Sequence, residues 1–279
     1  MTPPGSGTMT PVTTLRSWLS PPAQNPATPL DAPARRALWI EIAIVLLVTF
    51  GLSGLSSILS LLEAALAPEP LSDRTVALNS PQSSQQFIDL ARQLLGILRL
   101  SAWGALGLYL LWRSGFGPKA VGLARPYLRR DVLPGVGLAA LIGFPGLLLY
   151  LGARAAGLNL TVAPSVLADY WWRVPTEVLW AVANSGAEEI LVVAYILTRL
   201  RQLGWSENSS LFASAVLRGS YHLYQGLGGG FGNVVMGLVF GRYWQRTGRL
   251  WPLVIAHALI DTVAFVGYQA LRGHVSWLP

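Results

Sequence analysis

The 279-residue chain contains no cysteine. Disulfides, thiolate metal sites and a cysteine nucleophile are therefore excluded. It is also poor in charge: Asp, Glu, Lys and Arg make up 12% of it, against about 25% in an ordinary soluble domain. Alternating short strands, the mark of a membrane barrel, are missing. What replaces them is apolar bulk, with 52% hydrophobic residues and a mean hydropathy of +0.47. Several runs of about 20 apolar residues read as membrane-crossing helices. The expected fold class is an all-α, polytopic transmembrane helical bundle.

Acidic residues are scarcer than basic ones, 13 against 20, giving a formal net charge of +7. The Arg and Lys residues lie mainly in the short gaps between apolar runs, which is the positive-inside pattern. That distribution argues for a lipid bilayer and against nucleic acid as the partner. Residues 1–36, rich in Pro, Thr, Ser and Ala, are expected to form a disordered cytoplasmic tail. About seven spans follow, at Leu38–Leu62, Ile88–Trp112, Val132–Leu151, Thr176–Thr198, Ser209–Gln225, Asn233–Trp244 and Leu250–Leu271. The first two have the weakest ends and leave room for an eighth element. Residues 37–174 thus hold N-terminal helices with a basic cytoplasmic loop at 113–130, 175–271 the core helices, and 272–279 a short tail. Basic residues in alternate loops place the amino terminus in the cytoplasm and the carboxyl terminus outside. No repeat of two related halves, as in many transporters, is visible.

Glu188 and Glu189 lie near the middle of the apolar run Val178–Leu197. An ionisable residue at a helix centre costs roughly 2.5 to 3.5 kcal/mol on insertion scales, so a retained pair points to use. Asn184, Ser185 and Glu188 share one side of this helix, with Glu189 rotated about 100° away. One carboxylate is expected to face a cavity and the other to be tied into packing. Arg218 and His222 are four apart on a later helix, as are His257 and Asp261 on the last. Grouping these costly residues allows them to pair and to admit water.

Such a site supports water activation. Glu188 would be the general base, a histidine would hold the same water, and a second histidine with a short polar residue would donate to an oxyanion. Each residue taken singly has a plainer reading. Glu189 with an arginine is a structural bridge, His222 a satisfied polar residue, His257 with Asp261 a mutual orienting pair, and His274 a surface residue. No cofactor is required by this chemistry. Zinc stays open as an alternative, with Glu188, His222 and His257 as ligands, although no His-Glu-x-x-His is present. The glycine-rich stretch Gly226–Gly232 follows no strand and lacks the phosphate-loop lysine. It is expected to be a tight turn at the cavity rim.

Read as motifs, these residues are Glu188-Glu-Ile-Leu-Val-Val193, Arg218-Gly-Ser-Tyr-His222 and His257-Ala-Leu-Ile-Asp261. Their order and spacing resemble the CAAX protease and bacteriocin-processing family of intramembrane proteases, which includes the type II CAAX prenyl endopeptidases. That family's motifs are Glu-Glu-x-x-x-Arg, Phe-x-x-x-His and His-x-x-x-Asn/Asp, and the resemblance covers about residues 175 to 270. It implies that Glu188 and His222 activate the water by a glutamate-dependent mechanism. It further implies that His257 and Asp261 stabilise the oxyanion, that Glu189 supports them, and that the substrate is a membrane-tethered peptide or protein.

Two positions depart from the pattern. Val193 stands in place of the arginine and Arg218 in place of the phenylalanine. The two exchanges are expected to be linked, with Arg218 reaching back to supply the missing cation beside Glu189. If it does not, the chain reads as an inactive scaffold or immunity-type binding protein. A proton-coupled transporter using the glutamates as a relay is the third reading. Nothing in the sequence speaks to oligomeric state.

Overall fold

The computed structural model describes residues 30–274. The expected tail lies mostly outside them, but its last residues are helical. The first helix, α1 (Ala32–Val48), starts where Asp31 caps it, its Oδ1 accepting from the Ala34 amide at 2.8 Å. The single span expected at Leu38–Leu62 is broken. At Thr49 the backbone leaves helical geometry (φ −134°, ψ −131°), and α2 (Phe50–Leu66) continues at an angle of 50° to α1. Gly51 is needed at this bend, because a Cβ there would lie 2.7 Å from that of Leu46.

After α2 the chain forms β1 (Thr75–Asn79), then α3 (Gln86–Arg113), and a short π-helical turn, Leu128–Val132, which runs into α4 (Leu133–Ala155). β2 (Thr161–Ser165) pairs with β1 in parallel, Thr75 opposite Thr161 and Asn79 opposite Ser165. This small ladder was not anticipated. Its strands are five residues each, too short for their alternation to stand out between long apolar runs. The basic stretch between Arg113 and Leu128 is turn and coil.

The central rod is α5 (Arg173–Glu188), a π-helical segment Glu189–Tyr195, and α6 (Ile196–Gln202). Every residue from Ala187 to Leu200 is buried. α7 (Glu207–Ser220) and α8 (Leu227–Thr247) form a hairpin beside it, and α9 (Trp251–Leu271) packs antiparallel to α5. The 14 residues of α7 span only about 21 Å, short of the roughly 30 Å hydrocarbon thickness. The expected fifth span thus stops at Ser220, and its last residues form a turn at the hairpin tip.

The glycine-rich stretch is not a turn either, because α8 begins at Leu227 and takes in Gly228 to Gly232. Only Gly226, with φ 112°, makes the reversal. The missing side chains let the neighbouring segment approach, and the Gly229 amide donates to Asn159 Oδ1 at 2.9 Å. Among the described residues four helical stretches are long and apolar enough to cross a bilayer, or five if α1 and α2 form one bent span. The expected count of seven is not confirmed by these lengths. The class stands: a predominantly helical, polytopic membrane bundle.

Candidate active site

The site is assembled from α5, the tip of the α7–α8 hairpin and α9. Ser214 on α7 donates to the Val192 carbonyl at 2.5 Å, supplying a partner within the wide π-helical turn that begins at Glu189. Such π segments recur at functional sites because they redirect side chains out of the regular helical order. Both glutamates are buried, Glu188 at 2% and Glu189 at 0% exposure.

Arg218 lies between them, itself fully buried. Its Nη2 meets Glu189 Oε1 at 2.6 Å, while its Nη1 is 3.6 Å from Glu188 Oε2. The guanidinium also sits 5.7 Å from the Phe240 ring centre, a cation–π distance. The cation absent at Val193 is thus present, delivered from the neighbouring helix. Burying two carboxylates without it would leave uncompensated charge, which costs several kcal/mol per ion.

The two carboxylates then diverge. Glu189 Oε1 is also 2.8 Å from His257 Nδ1, so Glu189 ties α5 to both α7 and α9. Glu188 Oε2 accepts from the Tyr221 hydroxyl at 2.7 Å, and His222 Nε2 stands 3.9 Å away from the same oxygen. That gap is too long for a hydrogen bond and suits one shared water. On the far side of the imidazole, His222 Nδ1 is 3.3 Å from Gln225 Nε2.

On α9, His257 Nε2 is 3.6 Å from Asp261 Oδ2, and Asn184 Nδ2 donates to that same Oδ2 at 3.1 Å. Asn184, His222 and Asp261 are half-buried and border the mouth, with Glu188, Glu189, Arg218 and His257 behind them. All seven residues named from sequence therefore converge. His274 lies apart on the surface.

Tyr221 is the residue sequence reasoning missed. Its neighbour His222 was the available signal, but only the end of α7 at Ser220 turns both side chains toward Glu188. The Tyr221 ring packs 4.8 Å from Phe50, the first residue after the α1–α2 break. The Tyr224 amide donates to Ser57 Oγ on α2 at 2.6 Å, so the bent helix braces the hairpin tip.

The proposed zinc ligands do not form a metal cradle. No group of three His, Asp or Glu side chains among the described residues is arranged to hold an ion.

Residues 170–263 match the family model described as Type II CAAX prenyl endopeptidase Rce1-like. No curated protein and no solved structure matched the chain. The matched segment runs from the loop before α5 into α9 and contains every residue of the cluster. Over this stretch, about a third of the chain, the protein is similar to that family, in the same core that carries the motif resemblance.

Proposed function

We propose that the protein is an intramembrane endopeptidase that hydrolyses a peptide bond of a membrane-associated substrate, with Glu188 and His222 activating the water. The observation that carries this reading is the 3.9 Å gap between His222 Nε2 and Glu188 Oε2, at the edge of an otherwise buried ionic cluster. Glu188 takes a proton from the water held there, and the hydroxide oxygen bonds to the substrate carbonyl carbon. Negative charge moves to the carbonyl oxygen, on the His257 side of the site. The carbonyl then re-forms, the C–N bond breaks, and the proton passes to the leaving amine. Glu189 and Arg218 position the two helices and touch no reacting atom. This mechanism requires no metal.

The family description names a prenyl endopeptidase, so a carboxyl-terminal peptide carrying a prenylated cysteine is the first substrate to test. The inactive-scaffold reading was grounded in the missing cation at Val193, and the Arg218 contacts with both glutamates support the active reading over it. We place the protein in the cell membrane as a multi-pass protein, amino terminus in the cytoplasm and carboxyl terminus outside.

The test uses purified protein in liposomes with two quenched fluorescent peptides, one farnesylated and one anchored by an apolar helix. Cleavage of either, lost in Glu188→Gln and His222→Ala and unaffected by EDTA, is the expected result. Activity retained in both variants refutes the assigned base. Activity lost to EDTA and recovered with zinc refutes the metal-free mechanism.

A further inference from the structure

The family pattern allows Asn or Asp at the fifth and last position of its final motif, and this chain has Asp261. The difference matters chemically. An asparagine amide donates hydrogen bonds, whereas a carboxylate only accepts them and carries negative charge. Placed against a developing oxyanion, a carboxylate would oppose the charge rather than stabilise it. The donor must therefore come from another residue at the same mouth.

We propose that Asn184 supplies it: its side-chain amide donates to the tetrahedral oxyanion, together with His257, while Asp261 positions both groups. This rests on the protease reading above. Asn184 lies on α5 one turn before Glu188 and on the same face, so its amide borders the reacting centre. Its Nδ2 donates to Asp261 Oδ2 at 3.1 Å, and His257 Nε2 faces that same oxygen at 3.6 Å. The Asn184 amide donates to that oxygen, while His257 Nε2 stands beyond hydrogen-bond distance of it. His257 Nδ1 is 2.8 Å from the Glu189 carboxylate; with that nitrogen donating, Nε2 carries a proton only in the imidazolium form, and it is as imidazolium that His257 donates to the oxyanion.

An amide nitrogen carries two N–H groups. Asp261 takes one, and the planar amide directs the other away from it. The bond to Asp261 fixes the amide plane before substrate arrives, and a charged acceptor polarises the remaining N–H. Exposure supports the assignment. Asn184 and Asp261 are both half-buried, whereas Glu189 and His257 behind them are closed off. Asn184 is thus the catalytic residue of this pair and Asp261 the positioning residue.

The experiment measures kcat and KM in liposomes for whichever of the two peptides the unaltered protein cleaves, with the thermal midpoint of each variant in detergent. Asn184→Ala is expected to lower kcat by about 100- to 1,000-fold, the usual effect of losing one oxyanion donor, with KM changed little. Asn184→Asp is nearly isosteric, places two carboxylates at the mouth, and should lower kcat further. The exchange Asn184→Asp with Asp261→Asn returns the amide from α9 and should restore kcat to within about tenfold of the unaltered protein.

Asn184→Ala with kcat within twofold of the unaltered protein overturns the proposal. So does an exchange variant no faster than Asn184→Asp alone, because an amide returned to the same hydrogen bond would then not have returned the oxyanion donor. No cleavage of either peptide by the unaltered protein overturns the protease reading and this proposal with it.

Discussion

Two helical stretches of similar length behave in opposite ways. Leu128–Ala155 and Arg173–Gln202, 28 and 30 residues long, both qualify as membrane spans. In the first, 11% of the most apolar window is buried within the protein; in the second, 83%. The more apolar stretch is the one that faces outward. In a bilayer, lipid chains are as apolar as leucine, so apolar surface does not drive a helix into the bundle. What draws Arg173–Gln202 inward is its polar content, which only neighbouring helices can satisfy. Low hydropathy within a span here marks the buried, chemical helix.

The comparison can be broken at its centre first. Arg218→Leu removes the cation from two buried carboxylates. It should destabilise the protein by about 3 to 5 kcal/mol, read as a lowered denaturation midpoint in detergent, and abolish cleavage. Adding Val193→Arg to Arg218→Phe rebuilds the family's usual arrangement, since Val193 is also buried. Part of that loss should return, and a double variant no more stable than Arg218→Phe would show that only α7 can supply the cation.

Core packing comes next. Leu197, fully buried, should cost about 2 to 4 kcal/mol as Leu197→Ala, by the same denaturation measurement. A smaller effect is expected at the rim, where Asp131 in the π-helical turn before α4 takes two contacts from Arg249, 2.7 Å from Nε and 2.5 Å from Nη2. Arg249 is partly exposed, so solvent screening reduces the pair's value, and Asp131→Asn should cost about 1 kcal/mol. The smallest change belongs to the outward face of α4. Phe144 is 73% exposed, and Phe144→Ala should shift stability by no more than about 0.5 kcal/mol. A larger loss would mean that this face is covered by something other than lipid.

Legibility followed the range of the interactions. Apolar runs and the four-residue spacings of Arg218/His222 and His257/Asp261 are local, and both were readable. The bend at Thr49 was not, because it depends on Gly51 lying against Leu46 within an otherwise uninterrupted apolar run. The glycine-rich stretch was misread for a related reason. Glycine signals a turn and a close helix contact equally well, and only the approach of Asn159 to Gly229 selects the second. The shortness of α7 was hidden because Tyr221–Gln225 is as helix-compatible as what precedes it.

By itself the sequence determined that this is a helical membrane protein with ionisable residues on three of its helices, since composition and period are properties of a chain alone. It also carried the glutamate pair and the double exchange at Val193 and Arg218. Only the tertiary structure decided that one guanidinium serves both glutamates, that Tyr221 and His222 address Glu188 while His257 addresses Glu189, and that Asn184 meets Asp261. Those pairings join residues on separate helices, from 29 to 77 positions apart. Their partners are chosen by the depth at which each helix starts and stops and by how the helices pack, which no local pattern specifies.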